Sequence, residues 1–238
     1  METSEYLAHL ATESQSFIDA ALAAPDAAVP QCGDWTMNDL AAHTARVWTI
    51  ATVNVEAAST DPTPPGDAPE GAPAEWLPTI RQRMLEVLGA ADPAAPAWSF
   101  ASAYQTAGFW QRRMTQETLV HRWDAQHAGG AAQPMDVDLA RDGIDEYLSV
   151  GLRFSSARPD RTYPSTSLHL HCTDPDGEWM LVGNDGPEVT ITHEHGKGDA
   201  AVRGTAEDLL LWIWNRPGGD VQIFGDEAVA STWQQLAP

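Results

Sequence analysis

The period of the hydrophobic pattern changes once along the chain, near residue 155. Before that point apolar residues recur at helical spacing; after it, short stretches alternate as strands do. This divides the chain into a helical domain at about 1–155 and a small α/β domain at about 163–238, an α+β architecture. A polar, proline-bearing stretch, Ser155 to Pro164, reads as the linker.

Five helices are expected in the first part. Residues 4–23 place Leu7, Leu10, Phe17, Ile18 and Leu22 on one side. A second helix starts at Thr36, with Asp39 as a capping-box partner, and runs to about Ala58. Its stripe is read as Leu40, His43, Val47 and Ile50, with His43 pointing inward. Residues 60–73 (TDPTPPGDAPEGAP) form a loop. A third helix covers about 74–91, with Pro78 tolerated near its first turn. A fourth runs from about Thr106 to Ala128 and stops at Gly129-Gly130. A fifth runs from about Asp138 to Phe154. In the second part, SLHLHCTD and EWMLVGN flank the turn PDGE as a hairpin at 167–184. EVTITHEH and residues 199–204 give further strands. Thr205 and Asp208 cap the helix AEDLLLWIWN; VQIFGD is a strand, and 227–236 a last helix.

Charge excludes several partners. Asp and Glu number 34 against 13 Lys and Arg, a net charge of −21 in 238 residues. Nucleic-acid binding draws on cations that neutralise phosphates, and docking on anionic lipid needs them too. No apolar run spans a membrane, and the start METSEYLAHLATES has no basic region of the signal-peptide kind. Cys32 and Cys172 are too few and too far apart for a disulfide framework or a cysteine zinc site. A reduced, cytoplasmic setting is expected. Lys197 is the only lysine beside 12 arginines, a bias of GC-rich codons.

Three candidate sites stand out. In QETLVHRWDAQH, Glu117 and His121 lie four apart, one helical turn, close enough to share a divalent metal. Asp124 is placed to accept from an imidazole N–H. A solvated i,i+4 pair is the other reading of this spacing. His43 on a facing helix would complete three ligands with an open fourth position, the pattern of catalytic zinc. Alone, an inward His43 is more often a hydrogen-bonded core histidine than a ligand. Arg216, after LLLWIWN, is either a cation at a helix C-terminus or a clamp for a carboxylate. His169/His171 and His193/His195 alternate along strands, so each pair shares a face that could bind metal; exposed sheet surface is the favoured reading. Trp35, Trp48, Trp110 and Trp123 are read as core and pocket wall. No G-x-S-x-G, G-x-G-x-x-G or P-loop occurs.

The stretches VPQCGDWTMNDLAAHTARVW, ETLVHRWDAQHAGG and AAVRGTAEDLLLWIWNRPGGDVQIFGDEAVASTW resemble the mycothiol-dependent maleylpyruvate isomerase family. That resemblance implies a DinB-like four-helix bundle and a C-terminal domain similar to sterol carrier proteins. It implies a divalent metal, usually zinc, held by His43, Glu117 and His121, with Arg216 in a catalytic role. It further implies mycothiol as cosubstrate, a small electrophilic substrate bearing a carboxylate, and cis–trans isomerisation or S-transfer. The family is largely actinobacterial, in line with the codon bias. Two other readings stay open: a metal-dependent hydrolase using metal-bound water, and a non-catalytic ligand-binding protein.

Overall fold

The computed structural model describes residues 1–154, 162–174 and 176–236. Most of the expected linker, and Pro175 of the expected turn, lie outside the described residues. The chain divides into two compact units, Met1–Gln133 and Pro134–Pro238.

The first unit is a bundle of four helices: α1 (Thr3–Ala23), α2 (Met37–Ala57), α3 (Pro73–Ala90) and α4 (Ala107–Ala128). The capping box of α2 forms as the sequence predicts. Thr36 Oγ1 accepts from the Asp39 amide at 3.3 Å, and the Asp39 carboxylate accepts from the Thr36 amide at 2.8 Å. These bonds satisfy donors that a helix start otherwise leaves orphaned. Helix α3 opens on Pro73 and passes through Pro78 in its second turn, at an exposed position where water can take up the carbonyl freed by the missing N–H. Gly129 and Gly130, the latter at φ 72°, end α4.

The buried stripe of α2 differs from the expected one. It runs Leu40, Ala41, Thr44, Ala45, Trp48, Ala51, Thr52 and Val55. His43, Val47 and Ile50 flank it, half-buried. Alanine and threonine let neighbouring helices approach closely, so the contact line follows small residues, not the largest apolar ones. With Leu10, Phe17, Met37, Leu77, Met84, Leu88, Trp110 and Met114, this stripe makes the core. The Trp48 indole N–H donates to Thr118 Oγ1 of α4 at 2.9 Å, satisfying a buried donor. The 60–73 segment is the expected loop; Asn54 ties it to α2 through both bonds to the Thr63 backbone, at 2.8 and 3.2 Å.

The second unit begins with α5 (Val137–Glu146), which the sequence reading assigned to the helical domain. This helix continues through a wider π turn at Tyr147–Gly151 into α6 (Leu152–Phe154), and it packs on α7 (Ala206–Ile213). Five strands follow: β1 (Ser167–Cys172), β2 (Glu178–Gly183), β3 (Val189–Thr192), β4 (Ala200–Gly204) and β5 (Gln222–Gly225). Helix α8 (Glu227–Gln234) comes last. The sheet order is β3-β2-β1-β4-β5, with β1 and β4 parallel and the other pairs antiparallel. Helices α7 and α8 cover one face, where Leu168, Leu170, Trp179, Leu181 and Val202 are buried. By strand alternation the opposite face carries His169, His171, Glu178, Met180 and Arg203.

Candidate metal centre

Helix α4 brings Arg113, Glu117 and His121 onto one side at intervals of four residues, and α2 presents His43 to them. Glu117 Oε1 lies 3.2 Å from His43 Nε2 and 3.1 Å from His121 Nε2. The two imidazoles meet edge to face, their centres 5.1 Å apart. The donor atoms of His43, Glu117 and His121 thus converge on one place, as a metal would require.

The remaining atoms of this group are already engaged. Glu117 Oε2 accepts from Arg113 Nη2, leaving Oε1 to face the imidazoles. His121 Nδ1 lies 3.0 Å from Asp124 Oδ2. Asp124 is fully buried, so an acceptor there keeps a proton on Nδ1 and leaves Nε2 to face Glu117 and His43. Cys32 Sγ donates to the same oxygen at 3.6 Å, and Gln31 Nε2 donates to the Asp124 backbone carbonyl at 3.1 Å. His43 is the open side: 37 % of its side chain is exposed, against 10 % for each of Glu117 and His121.

The electrostatics fit a cation. Burial pushes the Glu117 carboxyl up, but Arg113, His121 and the hydrogen bonds from both histidines outweigh it and hold it well below its usual range. Burial alone would lower the His121 imidazole; Glu117 and Asp124 raise it to about 9 instead. A proton therefore holds this cluster together, at the spot where two nitrogens and a carboxylate oxygen could grip a divalent metal. The set is N/N/O without sulfur, suited to zinc and its neighbours, and three protein ligands leave a position open on the His43 side. His43 also lines a cavity of about 250 Å³, walled by Ala42, Arg46, Thr49, Trp76, Ile80 and the 65–69 stretch of the loop.

The other predicted residues divide. The Glu117–His121 pair is buried rather than solvated. Trp48, Trp110 and Trp123 are buried as expected, and Trp35 packs on His43 with ring centres 5.0 Å apart. Arg122, the arginine of the E-x-x-x-H-R-x-D stretch, is spent on structure: its Nε donates to Glu13 of α1 at 2.6 Å, and its Nη1 to the Gln133 carbonyl. Arg216 lies in the second unit, in a turn beyond the end of α7, and its Nη1 donates to the Trp214 carbonyl at 3.0 Å. The reading of the strand histidines as exposed surface holds for His193 and His195 and is corrected for His169. His169 is buried, β3 ends at Thr192 so that His193 and His195 follow it, and His195 turns back to His169 and His171. Sequence reading missed Arg113, whose spacing of four from Glu117 was the available signal. It also missed Cys32, some ninety residues away in sequence with no local pattern to mark it.

Residues 7–126 match the family model described as the mycothiol maleylpyruvate isomerase N-terminal domain, and residues 138–232 match its C-terminal domain. Among solved structures, the chain is similar to the mycothiol-dependent maleylpyruvate isomerase, at 15 % identity and a TM-score of 0.57. The match covers 94 % of this chain and 93 % of that one. A mutant of that isomerase matches over the same shares at 14 % identity and a TM-score of 0.56. None of the curated proteins matches the chain. With both of its units covered by the two models of one family, the chain belongs to the mycothiol-dependent maleylpyruvate isomerase family.

Proposed function

We propose that this protein is a metal-dependent enzyme that uses mycothiol to isomerise, or to add sulfur to, a small electrophile bearing a carboxylate. One observation carries the reading. The free donor atoms of His43, Glu117 and His121 converge, while the second oxygen of Glu117 and the second nitrogen of His121 are held by Arg113 and Asp124. A divalent cation bound there, zinc by preference, would supply a positive charge that keeps a thiol deprotonated at neutral pH. His43, Glu117 and His121 would hold it. Asp124 holds the Nδ1 side of His121, and Arg113 holds the second oxygen of Glu117. The cavity beside His43 gives the reactants room next to the exposed ligand.

For isomerisation, the cosubstrate sulfur adds to one carbon of a cis double bond, and the electron pair moves to the conjugated carbonyl. The new single bond rotates, and the pair returns as sulfur leaves from the trans product. In S-transfer, sulfur stays and the enolate carbon takes a proton. Arg216 is assigned to the substrate carboxylate, which a guanidinium grips with two parallel hydrogen bonds. The family membership supports placing this activity in the cytoplasm.

The test is a melting curve of zinc-loaded protein with and without saturating mycothiol. A ligand of the native state raises the melting temperature, by about 2.7 kcal/mol of stabilisation at a hundredfold excess over its Kd. No shift in the zinc-loaded protein would remove the thiol and leave a hydrolase. No zinc bound by the wild type and unchanged zinc content in His121→Ala would each remove the metal assignment.

A further inference from the structure

The structure assigns a second metal site to this protein, on the sheet face away from α7 and α8, formed by His169, His171, Glu178 and His195. It lies entirely within the second unit and does not rest on the activity proposed above.

Strand geometry makes three of the four ligands neighbours. His169 and His171 are two apart on β1 and share a face, and the antiparallel register sets Glu178 of β2 directly opposite His171. The fourth arrives from outside the sheet. After β3 the chain folds back over this face, so close that a Cβ on Gly196 would meet the Met180 methyl at 2.8 Å. This return places His195 Nδ1 2.9 Å from Glu178 Oε2. His171 Nδ1 lies 2.9 Å from Glu178 Oε1, and His169 Nε2 lies 3.5 Å from Oε2. The ring centres are 5.5 to 6.5 Å apart, and one donor atom from each of the four residues falls within 4.8 Å of the others. Tetrahedral zinc with bonds of about 2.0 Å sets its ligand atoms ~3.3 Å apart, which small rotations of these side chains would meet.

A second observation points the same way. The His169 side chain is only 6 % exposed, and its Nε2 is buried with no hydrogen-bond partner. A buried polar atom without a partner is costly, and buried groups of this kind are normally satisfied. Here that nitrogen stands 3.5 Å from Glu178 Oε2, too far for a good hydrogen bond, and a cation would satisfy it. Three imidazoles and one carboxylate are zinc-type ligands, and four protein donors fill a tetrahedral shell with no place left for substrate. The role is that of a clip: the cation pins the 193–196 return to β1 and β2. Arg141 and Arg203 line the basin of about 700 Å³ that opens beside it, Arg203 paired with His171 across β1 and β4.

The test uses the full, untagged chain, stripped of metal, given zinc chloride and desalted, with zinc counted by plasma mass spectrometry. His121→Ala removes the bundle site, so the zinc that remains reports the sheet. One zinc per chain is expected in His121→Ala, and none once His195→Ala is added. His195 is exposed on its side chain by 80 %, so its loss should leave the fold intact. Zinc should also slow cleavage by a lysine-specific protease, whose only target is Lys197, two residues beyond the clip. Protection that persists in His195→Ala, or an absence of zinc from His121→Ala, overturns the site. Should His121→Ala fail to fold, the wild type and His195→Ala are compared: a fall of one zinc supports the clip and an equal count refutes it.

Discussion

His121 Nδ1 and Asp124 Oδ2 stand 3.0 Å apart inside one turn of α4, with the carboxylate sealed from solvent. The bond decides which imidazole nitrogen is free to bind. It follows that Asp124→Asn, which keeps the shape and removes the charge, should weaken zinc at the bundle site roughly 10- to 100-fold. Chelator competition measures this; unchanged affinity would mean that Asp124 does not orient the ligand.

Arg113 and Glu117 form a buried pair in which the arginine holds the oxygen turned away from the histidines. Arg113→Met leaves that carboxylate without its strongest cation. In metal-free protein the change should cost about 3 kcal/mol in urea unfolding, the scale of a buried charge that loses its partner. Zinc should restore part of the loss, because it compensates the same carboxylate. A variant as stable as wild type without zinc would show the pair to be dispensable.

His121 is held protonated in the metal-free fold, its pKa raised from the usual 6.5 to about 9. The folded state therefore binds this proton more tightly than the unfolded chain. The stability it contributes is complete below pH 6.5 and disappears as pH rises through about 9. Metal-free melting temperature should fall over that window. Zinc must displace the proton, so binding at pH 7.5 should release it and tighten as pH rises. Titration calorimetry in two buffers of different ionisation enthalpy reads the release; identical heats would refute it.

Thr118→Val removes the acceptor for the Trp48 indole and leaves a buried N–H unpaired. A loss of about 1–3 kcal/mol in unfolding free energy is expected, with zinc content unchanged. Lower zinc content would mean that the α2–α4 spacing, and not only stability, depends on this bond.

Much of the site was legible where local pattern carries it. Thr36–Asp39 and Gly129-Gly130 fixed where α2 begins and α4 ends, and a spacing of four put Glu117 and His121 together. His43 was read as pointing inward, whereas it lies half-exposed beside Glu117 and His121. Reading the stripe from Val47 and Ile50 overlooked the alanines and threonines along which the helices touch. The division of the chain was read one helix late, because periodicity shows that α5 is a helix but not that its partner is α7. The sheet cluster was half legible, as histidine pairs sharing a strand face that could bind metal. Strand register predicts Glu178 beside His171, but the return that delivers His195 follows no repeating pattern.

No residue from Arg113 to Ala125 is exposed, although this stretch of α4 carries two arginines, two acids and a histidine. Its two ligand candidates cannot be re-aimed without rebuilding the interior around them. The neighbouring 60–73 loop is anchored to α2 through Asn54 and forms one wall of the cavity by His43. Within the bundle, a relative of this protein can keep the metal position fixed and accept a different electrophile by changing that wall alone. Divergence of substrate on this scaffold is then a matter of loop length and composition, with the helix as the invariant part.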